Sequence, residues 1–68
     1  MNAGEQLDRY EVVAGNLGTV HKGADYHTAM RLYHEYVMAS KNGVGRVAGE
    51  PVALLKNGAV KHEHMPQE

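Results

Sequence analysis

The chain has no cysteine, no phenylalanine and no tryptophan, and only two prolines in 68 residues. Without cysteine there is neither a disulfide nor a cysteine-ligated zinc site. That absence fits a reducing compartment, so a cytoplasmic protein is expected. Without Phe or Trp, the large rings are four tyrosines: Tyr10, Tyr26, Tyr33 and Tyr36. Tyrosine keeps its hydroxyl near water or a polar partner, so a core built on it is thin. An excess of one charge is also lacking, with 7 Lys and Arg against 8 Asp and Glu. This is not the basic footprint of a general nucleic-acid binder. No apolar run approaches the ~20 residues that cross a bilayer. The start, MNAGEQLDRY, has neither the basic stretch nor the apolar stretch of a secretory signal. No membrane partner and no cofactor are expected.

A domain of this length buries only about 60% of the surface its unfolded chain exposes. Small domains usually need a staple such as a disulfide, a metal or a second subunit. With disulfides excluded, a histidine/carboxylate metal site or oligomerisation remains.

The pattern along the chain is ββαββ. Residues 1–7 are small and polar and are expected to be frayed. DRYEVVAG, from Asp8, alternates as a strand, with Tyr10, Val12 and Ala14 on one face and Arg9, Glu11 and Val13 on the other. GNLG (15–18) is a turn signal, and TVHKG (19–23) is a short returning strand. Asp25 is suited to cap a helix N-terminus, where its carboxylate accepts from free amides. Ala29, Leu32, Tyr33, Tyr36, Val37 and Ser40 then recur with helical period over Tyr26 to Lys41. Asn42-Gly43 supplies the stop. PVALLK (51–56) reads as a third strand, opened by Pro51. Asn57-Gly58 is a two-residue hairpin turn, and AVKHEH (59–64) returns. The tail 65–68 is expected to be disordered. The fold class is therefore α+β: one domain over 8–64, a four-stranded antiparallel sheet with one helix on one face.

Both faces of two strands are apolar. Val13 lies opposite Tyr10, Val12 and Ala14, while Ala53 and Leu55 lie opposite Val52 and Leu54. Strands of this kind usually belong to sheets covered on both sides. One helix covers one side, so a homodimer through the open face or a sheet edge is expected. The plain alternative is that Val13 and Leu55 are ordinary exposed apolar residues.

The segment SKNGVGRVAGEPV (40–52) has two readings. Gly43, Gly45 and Arg46 could form a nest of amides with a guanidinium, able to hold an anion. The glycines follow a helix, however, where the helix dipole disfavours anions. In the other reading Gly43 is a helix cap, and Arg46 pairs with Glu50 or caps the helix end. Gly49 then lets two backbones approach closely. His62 and His64 alternate on one strand face, but no HExxH and no aspartate cluster accompany them, so no metal site is assigned. No nucleophile constellation is present, the only serine being Ser40. An enzyme is not expected, and no catalytic residue is assigned. Tyr33 and Tyr36 fit the core stripe. Tyr26, and Tyr36 if exposed, would suit a binding hot spot beside an arginine.

The runs YEVVAGNLGTVHKG and AMRLYHEYVMASKNGVGRVAGEPVALLKNG resemble small accessory proteins encoded in bacteriophage and prophage genomes. The resembling positions are Tyr10-Glu11-Val12, Gly15-Asn16, Gly18, Tyr33, Glu35-Tyr36-Val37, Ser40, Gly43, Gly45-Arg46, Gly49-Glu50, Val52 and Gly58. They span roughly residues 10–60. The resemblance implies a protein that acts by binding in the bacterial cytoplasm. Such a protein would block a host enzyme or defence complex, or sequester a signalling nucleotide at a dimer interface. It carries over no catalytic residue. It does mark SxxGxGRxxGE as a unit, which singles out Arg46 and Glu50; with Gly43 and Gly45 from the loop reading and Tyr26 and Tyr36 from the hot-spot reading, these are the candidate binding residues.

Overall fold

A computed structural model describes residues 8–66 of the chain. The expectations for residues 1–7 and for Gln67 and Glu68 lie outside the described residues. Within them, β1 (Tyr10–Ala14) and β2 (Gly18–Gly23) form the first hairpin. Helix α1 (Tyr26–Asn42) follows, then β3 (Val52–Lys56) and β4 (Ala59–His64). All strand pairs are antiparallel, in the order β2-β1-β3-β4. The ββαββ arrangement expected from the pattern is what forms. The central pairing of β1 with β3 joins the two hairpins, with Val12 opposite Leu54 and Ala14 opposite Val52.

Alternation along the strands decides which side is core. Tyr10, Val12, Ala14, Val52 and Leu54 point to the helix and are buried with Ala29 and Val37. Met30, Leu32, Tyr33, Tyr36 and Ala39 widen this layer as partly buried side chains. The largest fully buried side chains are only Leu54, Val12 and Val52, so the core is thin.

The helix starts where Asp25 caps it. The Asp25 carboxylate accepts from the Thr28 amide at 3.2 Å and from the Thr28 hydroxyl. These two bonds, the hydroxyl first, hold the Asp25 carboxyl below its ordinary range. The helix ends at Gly43, whose φ of 69° is left-handed. The Gly43 amide donates to Ser40 O at 3.3 Å and the Val44 amide to Ala39 O at 2.9 Å. This pair of bonds is the Schellman closure that a terminal glycine permits.

At the second hairpin, Asn57 and Gly58 both take positive φ, 53° and 86°, as a type I′ turn requires. Asn57 also fastens the tip to the entrance of β1. Its amide donates to Arg9 O at 2.7 Å, and its Oδ1 accepts from the Arg9 amide at 2.9 Å. Two register shifts interrupt the sheet, at Val12/Val13 against β2 and at Leu54/Leu55 against β4. No helix among the described residues is long and apolar enough to cross a membrane.

Candidate functional site

The 43–50 segment forms a tight knot around Ser40. After the helix cap it makes one 3-10 turn, Gly45–Val47, and buries Val47 against the core. The Gly49 amide donates to Ser40 O at 3.1 Å, and the Glu50 amide to Val47 O at 2.9 Å. The Ala48 amide donates to Gly45 O at 3.3 Å. With the two cap bonds, the amides of Gly43, Val44, Ala48, Gly49 and Glu50 are thus all used internally. Those of Gly45 and Arg46 open the 3-10 turn and make no backbone bond outside it among the described residues.

The expected partners of Arg46 are taken differently. The helix carbonyls are closed by backbone amides, and Arg46 is exposed with no ion pair among the described residues. Glu50 turns instead to the β1–β2 turn, where Oε1 accepts from the Asn16 amide at 3.2 Å. Gly49 has open space where a Cβ would sit, so its φ of 72° is what favours glycine there. The close approach of two backbones occurs at Gly15, whose amide donates to Pro51 O at 2.7 Å.

Ser40 carries more than the small packing residue that its place in the stripe suggests. Its hydroxyl donates to Glu50 O at 2.7 Å, and the residue is buried. Ser40→Ala keeps the helix but leaves that carbonyl without its partner. A loss of about 1–2 kcal/mol is expected in urea denaturation, with the slope unchanged. Unchanged stability would show that the hydroxyl does not tie the segment to the helix.

The tyrosines separate. Tyr26 is exposed at the first turn of the helix, its ring 5.4 Å from Tyr10 and 5.7 Å from His27. Arg46 lies beyond the other end of this 17-residue helix, about 25 Å along the axis. The two do not form one site. Tyr36 is half-buried beside Val47, and with Leu32, Glu35 and Ala39 it lines a shallow hollow. Tyr33 packs against His62 at 6.0 Å. Burial, and secondarily the charge of Glu63, pushes its phenol above the ordinary range. His62 and His64 do share the helix-facing side of β4, opposite Leu54 and Val52. Among the described residues no three metal-binding side chains converge.

The sheet face turned away from the helix carries apolar side chains at its centre. Its registers form a grid. One row runs Thr19, Val13, Ala53, Glu63, and the other runs Lys22, Glu11, Leu55, Val60. Val13, Ala53, Leu55 and Val60 are contiguous in it. The first three are partly exposed, and Val60 is 57% exposed. Lys22 Nζ stands 4.0 Å from Glu11 Oε2 at the rim. No described element covers this face.

The chain matches no family model, no curated protein and no solved structure.

Proposed function

We propose that this chain is a non-enzymatic binding protein of bacteriophage type that inhibits a host protein, a component of antiviral defence. The observation that carries this reading is the open sheet face, with Val13, Ala53, Leu55 and Val60 together and Glu11, Lys22, Thr19 and Glu63 around them. A flat apolar centre with a polar rim fits another protein surface. It offers no enclosed space for a small substrate. The partner is accordingly a protein with a flat apolar patch of its own. The likeness of YEV, EYV and SxxGxGRxxGE to phage accessory proteins supports the host setting.

The test is a bacterium carrying an antiviral defence system, challenged with phage while it expresses the chain. Plaque counts are expected to rise. Leu55→Asp, at a partly exposed position, is expected to abolish that rise while the purified variant keeps its cooperative melt. Suppression that survives both Leu55→Asp and Val60→Asp would sink the open-face reading. A melting temperature that climbs on adding signalling nucleotides would place the function in sequestration instead. Saturating ligand at 100 times its dissociation constant stabilises by about 2.7 kcal/mol.

A further inference from the structure

We infer that Asn57-Gly58 is a site of spontaneous covalent modification, where the Gly58 nitrogen cyclises onto the Asn57 side chain and irreversibly loosens the entrance of β1. Asparagine is thermolabile, and most so before glycine, which has no side chain to keep its nitrogen from the neighbouring carboxamide. The chain has two such pairs, Asn42-Gly43 and Asn57-Gly58. The structure separates them. Asn42 is the last residue of the helix, and the Gly43 amide donates to Ser40 O at 3.3 Å within the cap. The nitrogen needed for attack is engaged there. Gly58 lies on an exposed turn, and its amide makes no backbone bond among the described residues. Nothing stands within 4 Å of the place a Cβ would take on it.

The reaction needs no reagent but water. The Gly58 nitrogen gives up its proton and attacks Asn57 Cγ. The bond from Gly58 N to Cγ forms, the bond from Cγ to Nδ2 breaks, and ammonia leaves with the proton. The cyclic imide then takes up one water. Cleavage between Cγ and the nitrogen gives aspartate. Cleavage between the main-chain carbonyl carbon and the nitrogen gives isoaspartate, whose backbone runs through Cβ and Cγ and is one atom longer.

The residues before β1 guard the site. Asn57 Oδ1 accepts from the Arg9 amide at 2.9 Å, and Nδ2 donates to Asp8 Oδ1 at 3.3 Å. Held at both ends, the carboxamide must leave Asp8 and Arg9 before Cγ turns onto the Gly58 nitrogen. The chemistry therefore runs through a local opening of this clamp. Neither product closes it as before. Aspartate sets a second carboxylate where Nδ2 met Asp8, and like charges in contact repel. Lys56 Nζ, 3.7 Å from Asp8 Oδ2, offsets part of this. Isoaspartate does more. The two-residue turn fixes the register that sets Leu55 opposite Val60, and an added backbone atom breaks it. Both residues belong to the open face, so a loss of binding there rests on the role proposed above; the chemistry does not.

Ageing the purified chain at mildly alkaline pH tests the site. Trypsin releases the two pairs as separate peptides, NGVGR (42–46) and NGAVK (57–61). NGAVK is expected to exchange its amide for a carboxyl, read by mass and by labelling with an isoaspartyl methyltransferase, at least about threefold faster than NGVGR. In guanidinium the two are expected to convert alike. Asp8→Ala frees one end of the carboxamide and is expected to speed conversion at Asn57 about fivefold, the worth of one hydrogen bond. Ser40→Ala loosens the opposite end of the sheet and is expected to leave that rate unchanged. Asn57→Asp, standing in for the aspartyl product, is expected to exchange the Arg9 amide hydrogen faster than the wild type. Conversion first at NGVGR, or at neither pair, would overturn the assignment. A preference for NGAVK that persists in guanidinium would assign it to sequence and not to the fold. Equal acceleration by Asp8→Ala and Ser40→Ala would place the reaction in the unfolded chain and remove the clamp. Unchanged exchange at Arg9 in Asn57→Asp would show that the modification loosens nothing.

Discussion

Leu54→Ala is expected to unfold most of the protein at 25 °C, while Leu55→Ala next to it leaves the fold intact. The two leucines differ by one position in β3 and face opposite sides of the sheet. Leu54 is fully buried, opposite Val12 in the central strand pair and His62 on the other side. Replacing a buried leucine by alanine costs about 3–5 kcal/mol, part of it for the cavity left behind. A domain of 68 residues has about 3–10 kcal/mol in total. With Val12 and Val52 the largest other fully buried side chains among the described residues, little remains to absorb the loss. Leu55 is partly exposed on the face without a helix, where truncation costs about 1 kcal/mol or less. Circular dichroism of the two variants against urea reads the difference. A cooperative Leu54→Ala transition close to wild type would mean that the core does not hinge on this residue. Under the proposed binding role, Leu55→Ala is expected to lose function without losing the fold, which would separate the two faces of one strand.

The parts of the fold legible in the sequence are those written in neighbouring residues. Asp25, the helical period from Ala29 to Ser40 and the Asn42-Gly43 stop each act within a turn or two, and the helix forms where they place it. Asn57-Gly58 likewise needs only its own backbone. The register places Val13 and Leu55 side by side on the open face, opposite the core residues of the same strands. What the pattern does not carry is long-range. The pairing of β1 with β3 depends on how two hairpins meet, and neither hairpin encodes it locally. Arg46 and Glu50 are spaced for an ion pair, yet Glu50 reaches Asn16, which is distant in sequence. Ser40 reads as a small residue on the core stripe, and only the returning chain supplies the Glu50 carbonyl that its hydroxyl needs. The extra residue in each edge strand leaves no compositional mark, because a bulge accepts most residues.

Gly15→Ala is expected to be the most damaging single-methyl change in the molecule, and its rescue identifies the cause. Gly15 has a φ of +29°, on the side of the backbone map that L side chains rarely adopt. A Cβ there would overlap the Glu50 Cβ and carboxylate, with Glu50 Cδ at 2.9 Å. The carboxylate can swing away, but the Glu50 Cβ is fixed to its backbone. That backbone is itself held, because Gly15 N donates to Pro51 O at 2.7 Å. Relief therefore requires the β1–β2 turn to separate from the 43–50 segment, breaking this bond and the one from Asn16 to Glu50. Strain and overpacking together are expected to cost about 2–4 kcal/mol. Glu50→Ala keeps the offending Cβ and should rescue little. Glu50→Gly removes it and should recover much of the loss, less the φ strain that stays at residue 15. Urea denaturation of the singles and the doubles gives the coupling between the two positions. Coupling that appears with Glu50→Gly and not with Glu50→Ala assigns the cost to the Cβ overlap. Equal coupling in both would assign it to the carboxylate and its bond to Asn16. The segment that resembles an anion loop then acts, at Glu50, as the wedge that locks the first hairpin to the end of the helix.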